Sequence, residues 1–220
     1  MPAANSRGEA ARAALVASAE QLFAERGIEG VSLRDVSAAA GQRNHSAAQY
    51  HFGDRQGLVA AVYEARMRLV DERRHAQLDA LHESGRDHDV EGLVAATVVP
   101  LLDVVADTDG WYGRFLARTR WEPIAWQVLL EVPTSTSFAT VMKNLDRALA
   151  DIGLPRKLRS HRIDQLMTLV VGTIAGWEGA PERGEPRLHR DELAAELVTG
   201  GVALLTAESR QLERTGASTS

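Results

Sequence analysis

Apolar residues in this chain recur at three- and four-residue intervals along nearly its whole length, and no stretch shows clear strand alternation. Side chains spaced that way share one face of an α-helix, so burying them requires helices packed on helices. Leu15, Ala19, Leu22 and Phe23 predict an amphipathic helix over 10–26, stopped by Gly27. Leu33, Val36 and Ala40 predict a helix of about two turns, opened by a capping box of Ser32 and Asp35 and ended by Gly41. Residues 45–51 follow as a third short helix with Asn44 as its cap, closed by Phe52 and broken by Gly53. Asp54 then caps a fourth helix, with Leu58, Val62, Ala65 and Leu69 in period, running to about residue 81.

The run HESGRDHD, 82–89, is the clearest hydrophilic break and divides the chain in two. Beyond it, helical patterns cover 90–106, 110–120, 137–151, 156–179 and 191–207. Apolar stripes mark the last two, through Leu166, Val170 and Ile174 and through Leu193, Leu197 and Leu205. Gly200 and Gly201 interrupt the second stripe. Glycine inside a helix costs about 1 kcal/mol against alanine, so the pair implies a close helix approach.

Composition excludes several chemistries. Cysteine is absent, which removes thiolate metal sites, thiol catalysis and disulfides and suits a cytoplasmic protein. The first ten residues hold no apolar block of the secretory kind, and the longest uncharged apolar stretch, 165–177, falls short of the ~18 residues that suggest a membrane span. No phosphate-binding glycine loop, GxSxG elbow or HExxH motif is present, so neither a catalytic residue nor a cofactor is expected. His82, Asp87, His88 and Asp89 carry metal-ligand atoms but read as a solvated loop, and His45 and His51 do not share a helical face; no metal is expected. The formal net charge of −5 opposes simple polyanion binding. Residues 1–58 hold six arginines against six acidic residues and are neutral, so the deficit lies downstream.

Two short helices joined by a tight glycine-containing turn, on a floor supplied by a preceding helix, make a helix-turn-helix. The third helix offers His45, Ser46, Gln49, Tyr50 and His51, side chains able to meet base edges in a major groove. Arg34, Arg43 and Arg55 sit at or beside helix starts, where cations and free N–H groups hold phosphates together. Two runs, GVSLRDVSAAAG at 30–41 and YHFGDRQGL at 50–58, resemble the TetR family of bacterial transcriptional regulators. The resemblance implies phosphate contacts for Ser32 and Arg55, reading roles for the third-helix residues, and a core position for Phe52. This chain has one residue more than the usual family spacing between Gly41 and Phe52, placed at Gln42 or Arg43, so either Arg43 or Asn44 begins the helix. Gln49 stands where the family often has tyrosine.

The resulting expectation is an all-α protein: a flexible tail over 1–8, a helix-turn-helix DNA-binding domain over 9–57, a helical effector-binding and dimerisation domain over 58–207, and a disordered tail over 208–220. The resemblance implies a homodimer formed through 156–179 and 191–207, a palindromic double-stranded DNA operator, no membrane partner, and release by a small-molecule effector, with repression the family's usual mode. Trp111, Tyr112, Phe115, Trp121 and Trp126 cluster around Pro123, and with Met142 and His161 they are the expected surroundings of an apolar or aromatic effector. Plain core packing is the competing reading of those aromatics. A helical carrier or partner-binding module without DNA affinity is the alternative for the whole chain.

Overall fold

The computed structural model describes residues 3–108, 110–131 and 136–208, and every extended element among them is helical. The helices are α1 (Ala3–Arg26), α2 (Leu33–Ala39), α3 (Ala47–Phe52), α4 (Arg55–Glu83), α5 (Val90–Asp107), α6 (Tyr112–Thr119), α7 (Pro123–Glu131), α8 (Thr136–Asp151), α9 (Arg156–Gly179) and α10 (Arg190–Thr206). The expected all-α architecture is present, with a helix-turn-helix at its head.

Several boundaries are set by local chemistry visible in the sequence. Gly27 and Gly53 turn the chain after α1 and α3 with φ of 77° and 76°, a region closed to most side chains. At the start of α2, Ser32 Oγ accepts from Asp35 N at 3.1 Å and the Asp35 carboxylate accepts from Ser32 N at 3.0 Å, the reciprocal capping box. Asp54 and Asp89 cap α4 and α5 by accepting from Gly57 N and Gly92 N.

Other expectations need correction. Helix α1 begins at Ala3, so residues 3–8 continue the helix that was predicted to start at 10; alanines in that stretch favour helix over tail. Helix α7 was not foreseen. Its Pro123 stands at the first helical position, where a fixed φ and a missing N–H cost nothing. Asn44 does not cap α3: its Oδ1 accepts from Ser46 N at 3.0 Å within the turn, which leaves His45 and Ser46 ahead of the helix. Of the expected C-terminal tail, only Glu208 belongs to the described residues.

One core unites the elements. Leu15, Phe23, Val36, Ala48 and Leu58 fill it beneath the helix-turn-helix, and it continues through Val62, Leu93, Leu102, Phe115, Leu145, Leu166 and Ile174. Helix α6 lies between α1 and α9, while α5 is backed by α4, α8 and α10. A Cβ on Gly201 would come within 2.8 Å of both Leu166 and Val94, so this glycine lets α10 close on α9 and α5. Gly200 faces open space instead, so only one of the paired glycines serves packing within the chain.

Candidate nucleic-acid interface and ligand cavity

Helix α3 has a sharply divided surface. Ala47 and Ala48 are buried, whereas Gln49 is exposed and Tyr50 stands 84% exposed. Two alanines are small enough to let the helix sit down on α2 without lifting its polar side from solvent. The joint is Ser37, fully buried on α2: its hydroxyl donates to Leu33 O and accepts from Ala48 N, both at 3.0 Å. This single hydroxyl fixes the first turn of α3 against α2. Sequence reasoning passed over Ser37, although a serine one helical turn after Leu33, inside a buried stripe, was a usable signal. At the other end of α3, Phe52 is half-buried against the core and the Arg12 guanidinium lies over its ring at 5.3 Å, tying α3 to α1.

All ten candidate DNA contacts reach the surface. Ser32, Arg34, Arg43, Asn44, His45, Ser46, Gln49 and Tyr50 are exposed, and His51 and Arg55 are half-buried. Tyr50 meets the edge of His51 with ring centres 5.3 Å apart. Arg34, Arg43 and Arg55 make no hydrogen bond or ion pair with any other described residue, so their donors are free for an outside acceptor. Ser32 is differently placed. Its hydroxyl is held at 2.6 Å by Asp35, whose carboxyl lies below the ordinary range because the Ser32 hydroxyl and N–H both bond to its charged form.

The effector expectation fares less well. Tyr112 and Phe115 are fully buried, stacked with ring centres 6.1 Å apart, and Phe115 also packs on Phe23 and Tyr63; they belong to the core. Trp111 is covered by the Arg114 guanidinium at 3.4 Å. Trp121 is 66% exposed under Arg120, and His161 is exposed on α9. The side chain of Trp126 lies outside the described residues. Among the described members of the expected set, Met142 alone lines the cavity described next. The cluster was drawn from nearness in sequence, and the turn between α6 and α7 sends its members to different surroundings.

The cavity itself has a volume of about 520 Å³ and is walled by α4, α5, α6, α7, α8 and α9. That size is within the ~300–1,000 Å³ of small-molecule sites. Tyr63, Met67, Val70 and Arg74 come from α4, Leu116, Thr119 and Arg120 from α6 and its end, and Met142, Ile163 and Met167 from α8 and α9. Its inner end is polar in a controlled way. Tyr63 Oη lies 3.3 Å from Thr119 Oγ1, and burial pushes the Tyr63 hydroxyl up from its ordinary value. Arg74 is only 3% exposed, and its Nε donates to Ala96 O at 2.9 Å. That carbonyl needs an outside donor because Pro100, four residues on in α5, has no N–H to give it. Arg74 Nη1 reaches Ser137 Oγ at 3.4 Å, and Ser137 in turn donates to Asp71. Burial pulls the guanidinium down to about 10, with Asp71 opposing, so it stays charged at neutral pH.

Comparison with known proteins agrees with the geometry. The profile of bacterial regulatory proteins of the tetR family matches residues 15–62, from α1 into α4. None of the curated proteins matches the chain. Among solved structures it is similar to native NalD, the secondary repressor of the MexAB-OprM multidrug efflux pump in Pseudomonas aeruginosa, at 20% identity and a TM-score of 0.51 over 88% of this chain and 96% of that one. It also aligns with a superantigen, pfit, at 20% identity and a TM-score of 0.48 over 85% and 86% of the two chains. A TetR-family transcriptional regulator from Pectobacterium atrosepticum aligns at 22% identity and a TM-score of 0.40 over 91% and 92%. Among the described residues no helix is long and apolar enough to cross a membrane. With the family profile falling on the helix-turn-helix whose geometry is given above, residues 15–62 are a DNA-binding domain of the kind found in the tetR family of bacterial regulatory proteins.

Proposed function

We propose that two copies of this chain bind a palindromic DNA operator as a repressor and let go when a small molecule occupies the cavity. The observation that carries the reading is the divided α3: a polar face reaching solvent, held by Ser37 and two buried alanines and flanked by three uncommitted arginines. In this reading residues 9–57 are the reading head and 58–207 the sensing and dimerising part. Arg34, Arg43, Asn44 and Arg55 hold phosphates, while His45, Ser46, Gln49, Tyr50 and His51 face base edges. Ser32, with its hydroxyl engaged by Asp35, serves by opening α2.

The partner surface is the outer side of α9 and α10. Thr168, Gly172 and Gly176 on α9 and Thr199, Gly200 and Ala203 on α10 are exposed and small, a surface on which two helix pairs can close tightly. Pairing there would set the two α3 helices about 34 Å apart, one duplex turn. A ligand that binds the wrong spacing better by about 3 kcal/mol would weaken operator affinity roughly 150-fold.

Selection of bound duplexes from a random pool tests the proposal. The expected product is an inverted repeat with half-sites one turn apart, bound with a steep fall of log K against log salt. Failure to enrich any duplex at low salt would overturn it and leave the helical carrier as the better reading.

A further inference from the structure

We infer that the cavity takes an amphipathic organic anion, an apolar body bearing a carboxylate, and that the carboxylate sits on Arg74. The inference rests on the ligand-responsive reading above but is carried by different residues. Arg74 presents five N–H donors, of which the protein uses two, one for Ala96 O and one, at the long distance of 3.4 Å, for Ser137 Oγ. It forms no ion pair, and its Nη2 makes no hydrogen bond, among the described residues. The Asp71 carboxylate is linked to it only through Ser137. A guanidinium this deep, lining an accessible cavity without a carboxylate in contact, is a cation whose desolvation is incompletely offset.

The other charges at the cavity are either paired or exposed. Arg120 pairs with Asp164 at 2.6 Å, Asp146 pairs with Arg159 at 2.8 Å, and Arg156 is exposed. A cationic ligand would meet Arg74 with no acid free to receive it, and a neutral one would offer Nη2 an uncharged acceptor at best. The walls restrict the rest of the ligand. Met67, Leu101, Leu116, Met142, Met167 and Val171 offer dispersion contacts and three adaptable thioethers, and they suit an aliphatic or aromatic body. The Phe138 ring, 5.6 Å from the Arg74 guanidinium, covers it on one side, leaving its edge for a planar acceptor.

The test is binding of matched acids and amides to the intact protein without DNA: octanoate against octanamide, and 4-butylbenzoate against 4-butylbenzamide, by titration calorimetry at neutral pH. Each acid is expected to bind at least about tenfold tighter than its amide, the gain of one charge-assisted contact over a neutral one. In Arg74→Gln that preference should vanish, Arg74→Lys should keep part of it, and Arg156→Gln should leave it intact. Equal binding of acid and amide, no binding of either at about 1 mM, or a preference lost in Arg156→Gln and kept in Arg74→Gln would overturn the inference. If Arg74→Gln does not fold, the acid–amide comparison in the unaltered protein together with Arg74→Lys and Arg156→Gln decides the matter. Since DNA is absent from the measurement, its failure is separate from failure of the operator reading.

Discussion

The carboxylate of Glu122 accepts the backbone N–H of Ile28 at 3.1 Å, joining the segment after α6 to the turn after α1 across 94 residues. A matching contact holds the opposite end of α6, where Glu20 accepts from Trp111 N at 2.9 Å while pairing with Arg66 at 2.7 Å. Helix α6 is therefore clasped to α1 at both ends, and its own Leu116 and Thr119 line the cavity. Movement of those two wall residues cannot leave α1 unaffected unless one clasp opens.

Replacing Glu122 by alanine should cost about 1–2 kcal/mol of stability by leaving a buried amide unpaired, and should uncouple the two ends of the molecule. Operator affinity measured with and without a cavity ligand is the check. In the variant, free-protein affinity should stay within a few-fold of the original while the ligand's effect on it shrinks.

Arg55→Ala and Gln49→Ala should separate grip from reading. Loss of a phosphate contact weakens binding to all duplexes alike and lowers the salt slope by about one, whereas loss of a base contact relaxes preference at one half-site position by about 1–3 kcal/mol. Competition binding against single-position operator variants measures both. Unchanged specificity in Gln49→Ala would place the reading register elsewhere on α3.

Gly172 faces open space on α9, so a lysine there should leave the chain folded. If the α9–α10 surface pairs two copies, Gly172→Lys should yield monomers by light scattering and cut operator affinity by orders of magnitude, since one head then binds alone. An unaltered mass would move the interface away from α9.

Stability should fall on acidification in part through Asp35. Its carboxyl is lowered from 3.8 in the folded chain by the Ser32 hydroxyl and N–H, so the charged form stabilises α2 at neutral pH. That contribution is fully present above the ordinary value and disappears as pH drops through the lowered one. Urea midpoints taken between neutral pH and the acid limb should show a shallower decline for Asp35→Asn than for the original chain.

Much of the head was legible because its signals are local. The Ser32–Asp35 box, the stop at Gly53 and the cap at Asp54 each depend on residues within a few positions, and the structure has them as read. The start of α3 was misjudged because Asn44 satisfies a turn amide as readily as a helix amide, and only the packing of Ala47 and Ala48 decides between them. The aromatic residues expected to gather around an effector part company for a different reason. Trp121 and Phe115 are six positions apart yet one faces solvent and the other the core, while Arg74 sits in the run DERRHAQ and reads as solvated. Nothing near Arg74 in sequence betrays that Pro100 has left a carbonyl waiting for it.

Helix α4 runs unbroken for 29 residues, about 43 Å, with Arg55 near its head and Arg74 beside the cavity. Those two arginines are roughly 28 Å apart along the axis, so a tilt of about 5° pivoting at Arg74 sweeps Arg55 through some 2–3 Å. A hydrogen bond tolerates far less than that. Mechanical advantage of this kind lets a displacement too small to disturb the core become one that a phosphate backbone cannot follow.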